Sequence, residues 1–254
     1  MFKLTKYEFR KNITSIIIVL LILFASQGYF TISFLTRNEL HAAIASVILV
    51  IVGSISFIVV IAFGISAYEK ELKSKSSYLI FMTPNSSLKI ILSKIFYTFL
   101  FGVLLFVLLF AFSYMDVRML SSLSETPVDY VELLKLLLSS FGLDYMSIFY
   151  GIVAGIVTTI ISILFVITLA YFSITLASTW LQNKKVKGFI SVVIFFAIMI
   201  ATEWISHQLP TIYADPRTTF QAIASVLPSV IFGLVISLGC IFGSAVLLDK
   251  KVSL

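Results

Sequence analysis

Two side chains that could do chemistry, Glu203 and His207, lie one helical turn apart in the sequence. At a spacing of four residues they share one face of a helix, where they could form an ion pair, bind a metal or accept a proton. Trp204 beside them is typical of the layer in which a membrane meets water, and there they would form a hydrated polar cluster. We favour the hydrated cluster, and we expect no metal site in the chain.

Larger catalytic motifs are missing from the sequence. It contains no Gly-x-x-x-x-Gly-Lys-Ser/Thr phosphate loop, no His-Glu-x-x-His and no Gly-x-Ser-x-Gly. The centres of its long apolar runs hold no ionisable residue, whereas a proton-coupled carrier or an intramembrane protease should place such residues at mid-bilayer. We therefore expect no catalytic residue, no cofactor and no ATP hydrolysis in this chain itself.

The elements that would position these residues are apolar helices. Apolar residues make up 60% of the 254 positions and charged residues 12%, against roughly 45–50% and about 25% in soluble domains. Six runs are nearly free of charge and close to the ~20 residues that cross a bilayer core. They predict spans at about 13–36, 42–68, 95–115, 146–181, 188–209 and 229–248. The prediction is one all-α integral membrane domain over 1–254.

The fourth and sixth spans contain features that bear on where their helices begin and end. The fourth charge-free run, Tyr145–Asn183, is long enough for two short helices, but it contains neither proline nor a charged turn. We therefore predict a single tilted helix. In the sixth span we expect Pro228 at the helix start, where its missing N–H costs nothing.

The distribution of Lys and Arg predicts the orientation of the spans. If the N-terminus is cytoplasmic, six spans leave only Arg37, Arg118, Lys135 and Arg217 outside, and 14 of the 18 cations inside. Cytoplasmic segments of membrane proteins carry such an excess of Lys and Arg. Both termini are therefore predicted to be cytoplasmic, and the net charge of +6 reflects topology and not nucleic-acid binding.

Two amphipathic segments lie outside the spans. Near the N-terminus, Lys3, Lys6 and Arg10 share one helical face and Phe9 lies on another, which suits a helix on the membrane surface, although a plain basic flank would have the same charges. Between the third and fourth spans, Thr126-Pro127 is a good helix start. We predict an external amphipathic helix from there to about Gly142.

The loop Glu69–Lys94 contains an apolar patch, which we call the loop patch: Tyr78, Leu79, Ile80, Phe81 and Met82, followed by Thr83 and Pro84. Five apolar residues are too few to cross a membrane. The loop patch must therefore pack on the protein's own helices or bind a partner.

Two glycine pairs have the spacing that lets transmembrane helices approach closely. They are Gly151 with Gly155 and Gly239 with Gly243. The spacing predicts helix packing at these positions.

Two segments, Lys6–Asn12 and Tyr68–Lys94, resemble those of the ABC-2 type permeases of Gram-positive bacteria. The layout of six spans with cytoplasmic ends is also similar to theirs. The resemblance implies that the N-terminal helix lies at the membrane surface. It also implies that the second loop, with Glu71, the loop patch and Pro84, forms a coupling helix that docks on a separate ATPase subunit. That subunit would hold ATP and Mg, and two permeases would pair with two ATPases.

The chain departs from this pattern in one respect, because its longer external insert, Asp116–Asp144, lies between the third and fourth spans. Members of the family often have re-entrant helices between the fifth and sixth. The sequence is thus interpreted as the permease subunit of an ATP-driven exporter for a hydrophobic or amphipathic cargo, in the bacterial plasma membrane. The alternatives are a membrane scaffold or sensor subunit and, behind these, a membrane-embedded enzyme.

Overall fold

The computed structural model describes residues 2–73, 86–123, 145–180, 186–210, 212–213 and 219–252. Over these residues the secondary structure is helical, without strands. The helices are α1 (Phe2–Lys11), α2 (Ile13–Leu35), α3 (Glu39–Lys73), α4 (Ser87–Leu123), α5 (Tyr145–Trp180), α6 (Lys187–His207) and α7 (Thr219–Val252). Only a helix or a closed barrel satisfies every backbone polar group in lipid, so apolar runs of this length fold as helices.

Helices α2 to α7 are each long and apolar enough to cross a membrane, which confirms the prediction of six candidate spans and is the pattern of a multi-pass membrane protein. The fourth span is one continuous helix, Tyr145–Trp180, as predicted. The predicted external helix from Thr126 to about Gly142 lies outside the described residues.

Several helices are longer than their charge-free runs. Helix α3 ends at Lys73 and α4 begins at Ser87, so both continue beyond the apolar runs into the predicted loop. Helix α7 begins at Thr219, which corrects the position expected for Pro228: it lies inside the helix and not at its start. The polar residues before the apolar run join the same helix, and the carbonyl of Ala224 loses the donor that a residue other than proline would supply.

The chain divides into two compact units. The first comprises Phe2–Gly64 and Phe96–Leu137. Its core is an apolar cluster drawn from α2, α3 and α4, formed by Val19, Leu23, Val60, Phe101, Leu105 and Phe112. Residues four apart on α2 and on α4 supply most of this cluster because they lie on one helical face.

The second unit comprises Met1, Ile65–Ile95 and Leu138–Leu254. In it α5 packs against α6 and α7. The second half of α5 is largely buried, and this half includes polar residues such as Ser173, Thr175 and Ser178. Their hydroxyls donate to carbonyls of their own helix, which lets α5 bury them without unpaired donors.

One close helix contact in the first unit gives a prediction for stability. A Cβ added at Gly64 would lie 2.9 Å from Cγ2 of Thr98, with the hydroxyl of Thr98 closer still. Thr98 is buried and β-branched, so it has few alternative rotamers in a helix. Gly64→Ala should therefore destabilise the protein by roughly 1–3 kcal/mol, measured as a lower unfolding temperature in detergent.

Gly102→Ala is the matched control, since among the described residues no atom outside the local helix backbone lies within 4 Å of a Cβ there. It should leave the unfolding temperature unchanged or raise it slightly, because alanine is the better helix former. Equal effects of the two substitutions would contradict the close contact at Gly64.

Candidate functional site

A buried ion pair joins the two helices that flank the predicted loop. Lys94 Nζ lies 2.6 Å from a carboxylate oxygen of Glu71, and the side chains are 3% and 9% exposed. Glu71 lies in the last turn of α3 and Lys94 in the third turn of α4. Charged residues within membrane helices are rare, pair with one another and commonly mark functional positions.

Tyr68, one turn before Glu71, attaches the end of α3 to α5. Its hydroxyl oxygen lies 2.6 Å from the Thr175 hydroxyl oxygen, and its ring stacks on Tyr171 at a centroid distance of 4.2 Å. Thr175 donates its own proton to the Tyr171 carbonyl, so the Tyr68 hydroxyl is the donor between the two side chains. We call Tyr68, Glu71, Lys94 and Thr175 the loop-base cluster.

The first residue of α4 is also fixed by a side-chain contact. Ser87 is buried, and its hydroxyl donates to a carboxylate oxygen of Asp249 near the end of α7. The helices on both sides of the loop are thus held by polar contacts within the second unit. These bonds restrain the end of α3 and the start of α4, which are the described residues on either side of residues 74–85.

The predicted coupling residues divide between described and undescribed parts of the chain. Glu71, expected on the docking surface, lies in the buried pair with Lys94. Tyr78, Leu79, Ile80, Phe81, Met82 and Pro84 lie outside the described residues. The docking role of the loop patch therefore stays a prediction, and Glu71 lies buried near the end of α3 in its pair with Lys94.

Helix α1 carries its basic residues on an exposed side. Lys3, Lys6 and Arg10 are exposed, and Phe9 packs edge-on against Tyr97 of α4 at a centroid distance of 4.8 Å. The buried side of α1 also includes a carboxylate, since Glu8 is 6% exposed. Contact of this helix with the membrane surface stays a prediction.

The four glycines expected at helix contacts differ from one another. A Cβ on Gly243 would lie 2.9 Å from the Phe172 ring, so α7 comes close to α5 at this residue. At Gly151, Gly155 and Gly239, no atom outside the local backbone lies within 4 Å of such a Cβ among the described residues. These three glycines therefore form no close helix contact in the described part of this chain. The spacing of a glycine pair does not specify which helix face packs against a neighbour, so it could not predict this difference.

Glu203 and His207 do not form a pair in the structure. Both side chains are exposed, and no hydrogen bond or ion pair joins them in the described part of the chain. Glu203, but not His207, lines a cavity of about 270 Å³ between α5, α6 and α7. Within the described residues, no group of three or more His, Cys, Asp or Glu could hold a metal ion.

Sequence reasoning missed the polar contacts between helices, two of which had a signal in the sequence. It read Lys94 only as a basic flank of the loop, although opposite charges at the two ends of one loop were a signal for the pair with Glu71. In the first unit the Gln27 side-chain amide donates to Asp116 at 2.6 Å, linking α2 and α4. A glutamine inside an apolar run was the available signal, because a buried amide needs a polar partner.

Comparisons of the chain with protein-family models, with curated proteins and with solved structures give no match.

Proposed function

We propose that the chain is the transmembrane permease subunit of an ATP-driven ABC exporter. A separate ATPase subunit would bind ATP and Mg and dock on the loop between α3 and α4. A second permease copy or a paralogue would complete the transporter in a bacterial plasma membrane. The cargo would be hydrophobic or amphipathic, such as an antimicrobial or cytolytic peptide or a lipophilic drug.

The loop-base cluster is the observation that supports this proposal most. A loop that transmits motion from a soluble partner must be attached firmly to the membrane helices, since a loosely held loop would move alone. Here the buried Glu71–Lys94 pair joins α3 to α4, and the Tyr68–Thr175 bond joins α3 to α5. Force on the loop would therefore reach three helices.

Co-purification tests the proposal. The affinity-tagged chain, extracted from its native membrane in mild detergent, should retain a subunit that hydrolyses ATP. The hydrolysis should be lost when the phosphate-loop lysine of that subunit is replaced. Recovery of the chain without any ATP-hydrolysing subunit, under conditions that preserve its own folding, would favour the scaffold or sensor interpretation.

The proposed orientation gives a separate prediction. After Cys240 is replaced by alanine, single cysteines are introduced at three predicted outer positions, Asn38, Thr126 and Thr211, and at three predicted inner positions, Ser76, Asn183 and Ser253. An impermeant thiol reagent added to intact cells should label the outer set only, because the excess of Lys and Arg places the others in the cytoplasm. Labelling at Ser76 would overturn the orientation.

A further inference from the structure

The cavity between α5, α6 and α7 is lined by both polar and aromatic side chains. Hydroxyl residues line it from all three helices, and the apolar part of its wall includes Phe165 and Phe232. Glu203 is the one charged residue among the described residues that line it. Its volume of about 270 Å³ is close to the lower end of the roughly 300–1,000 Å³ range of small-molecule sites.

The polar and aromatic groups lie at different depths. Glu203 is four residues before the end of the α6 span, which corresponds to about 6 Å along a helix. Phe165 is twelve residues into the α5 span, or about 18 Å, which is near the middle of a core of about 30 Å. The cavity therefore extends from a carboxylate near the membrane surface to aromatic rings near the midplane.

The hydroxyl groups in the wall offer acceptors more than donors. Thr158, Thr202 and Ser229 donate their protons to carbonyls of their own helices, so their oxygens present lone pairs to the cavity. The carboxylate of Glu203 accepts as well, and the nearby C-terminal end of α6 adds partial negative charge. A ligand group that is positive and rich in N–H donors complements such a wall.

We propose that this cavity binds a primary alkylammonium amphiphile, with the ammonium group at Glu203 and the apolar chain directed toward Phe165 and Phe232. An anionic group would be repelled by the Glu203 carboxylate. A quaternary ammonium would pair with the carboxylate charge, but it has no N–H groups to donate to the hydroxyl oxygens. The inference rests on the proposed function only in treating the bound molecule as a cargo.

Equilibrium dialysis of labelled octylammonium against the protein in lipid nanodiscs tests the site without any ATPase partner. Binding above that of empty nanodiscs should be saturable, and Glu203→Gln should weaken it about tenfold, the usual scale for losing a charged hydrogen bond. Octyltrimethylammonium should bind more weakly than octylammonium, and octanesulfonate should show no saturable binding. His207→Gln, an exposed change one turn away, is the control and should leave binding unchanged.

Reversing the charge of residue 203 gives a second test of the site. Glu203→Lys should abolish octylammonium binding, because the ammonium group would then face a like charge. Glu203 is exposed, so size-exclusion profiles of the variants should match that of the unchanged protein. If Glu203→Lys fails to fold, the Glu203→Gln comparison alone decides. Equal octylammonium binding by Glu203→Gln and the unchanged protein, or equal binding of octanesulfonate and octylammonium, would overturn the site.

Transport measurements separate this inference from the proposed function. Octylammonium that binds at Glu203 but is not exported with ATP would contradict the exporter and support the site. ATP-driven export of a neutral amphiphile with no octylammonium binding would support the exporter and refute the site.

Discussion

Replacing Tyr78, Leu79 and Phe81 together with alanine should abolish co-purification of the ATPase subunit while the permease still inserts into the membrane. These side chains belong to an apolar patch with basic residues on both sides in the sequence. Buried aromatic anchors commonly dominate an interface, and truncating a central one costs ~2 kcal/mol or more, which is about a thirtyfold loss of affinity. Losing three neighbouring anchors should leave no stable complex, so export should stop as well.

Ser76→Ala with Ser77→Ala is a suitable control, because it changes the same loop but removes no apolar anchor. This variant should retain the ATPase. If the loop patch instead packs on the permease's own helices, the triple substitution should first lower expression or the unfolding temperature, with the ATPase retained by the protein that remains. ATPase binding and export at normal levels in the triple variant would refute the coupling assignment.

Glu71→Ala alone should destabilise the protein by about 3–5 kcal/mol, measured by thermal or denaturant unfolding in detergent. The reason is that Lys94 is 3% exposed and would lose the carboxylate that lies 2.6 Å from its ammonium group. Removing both charges should be far less costly, because replacing a buried ion pair with apolar residues is often neutral or stabilising. The double variant Glu71→Leu with Lys94→Leu should therefore recover most of the lost stability.

Lys89→Ala is the matched control, since Lys89 is an exposed lysine of the same helix α4. Its effect should lie within about 0.5 kcal/mol, as for most surface substitutions. A double variant that is no more stable than Glu71→Ala would contradict the assignment of the cost to the loss of the ion pair. The coupling energy follows when the single variants Glu71→Leu and Lys94→Leu are measured beside the double variant, which closes the double-mutant cycle.

The number of spans could be predicted because it depends on a local property. A helix that crosses a bilayer needs about 20 apolar residues in sequence, and that requirement is visible in any single stretch. The same reasoning predicts one helix for the run Tyr145–Asn183, since nothing in that run would interrupt it, and the observed helix Tyr145–Trp180 is continuous. The helix ends were less predictable. Polar residues such as Thr219 join a helix outside the apolar core, which is why Pro228 is an interior residue.

The polar contacts were harder to predict because they join residues far apart in the chain. Tyr68 and Thr175 are 107 residues apart, and Gln27 and Asp116 are 89 apart. Each residue alone appears in the sequence as an ordinary polar group in or beside an apolar run. Which groups meet depends on which helix faces pack together, and that choice is made by shape and van der Waals contact.

The surroundings of the glycine pairs and of Glu203 could not be predicted either, because they also depend on how the helices pack. The spacing of Gly151 with Gly155 permits close packing but does not require it, and open space surrounds both among the described residues. The neighbours Trp204 and His207 predict a position near the membrane surface for Glu203, and this stays a prediction. That it lines a cavity depends on α5 and α7, which contribute residues far from it in sequence.

ATP-dependent uptake into inside-out membrane vesicles is the most direct test of the central claim, that this chain transports a cargo with energy from a separate ATPase. Vesicles containing the chain and its co-purifying ATPase are supplied with fluorescently labelled amphipathic peptides, one cationic and one neutral. At least one peptide should accumulate with ATP and not with a non-hydrolysable analogue, and the Tyr78, Leu79 and Phe81 triple variant should abolish the accumulation. Equal accumulation with ATP and with the analogue, for both peptides and in a complex that hydrolyses ATP, would contradict the claim.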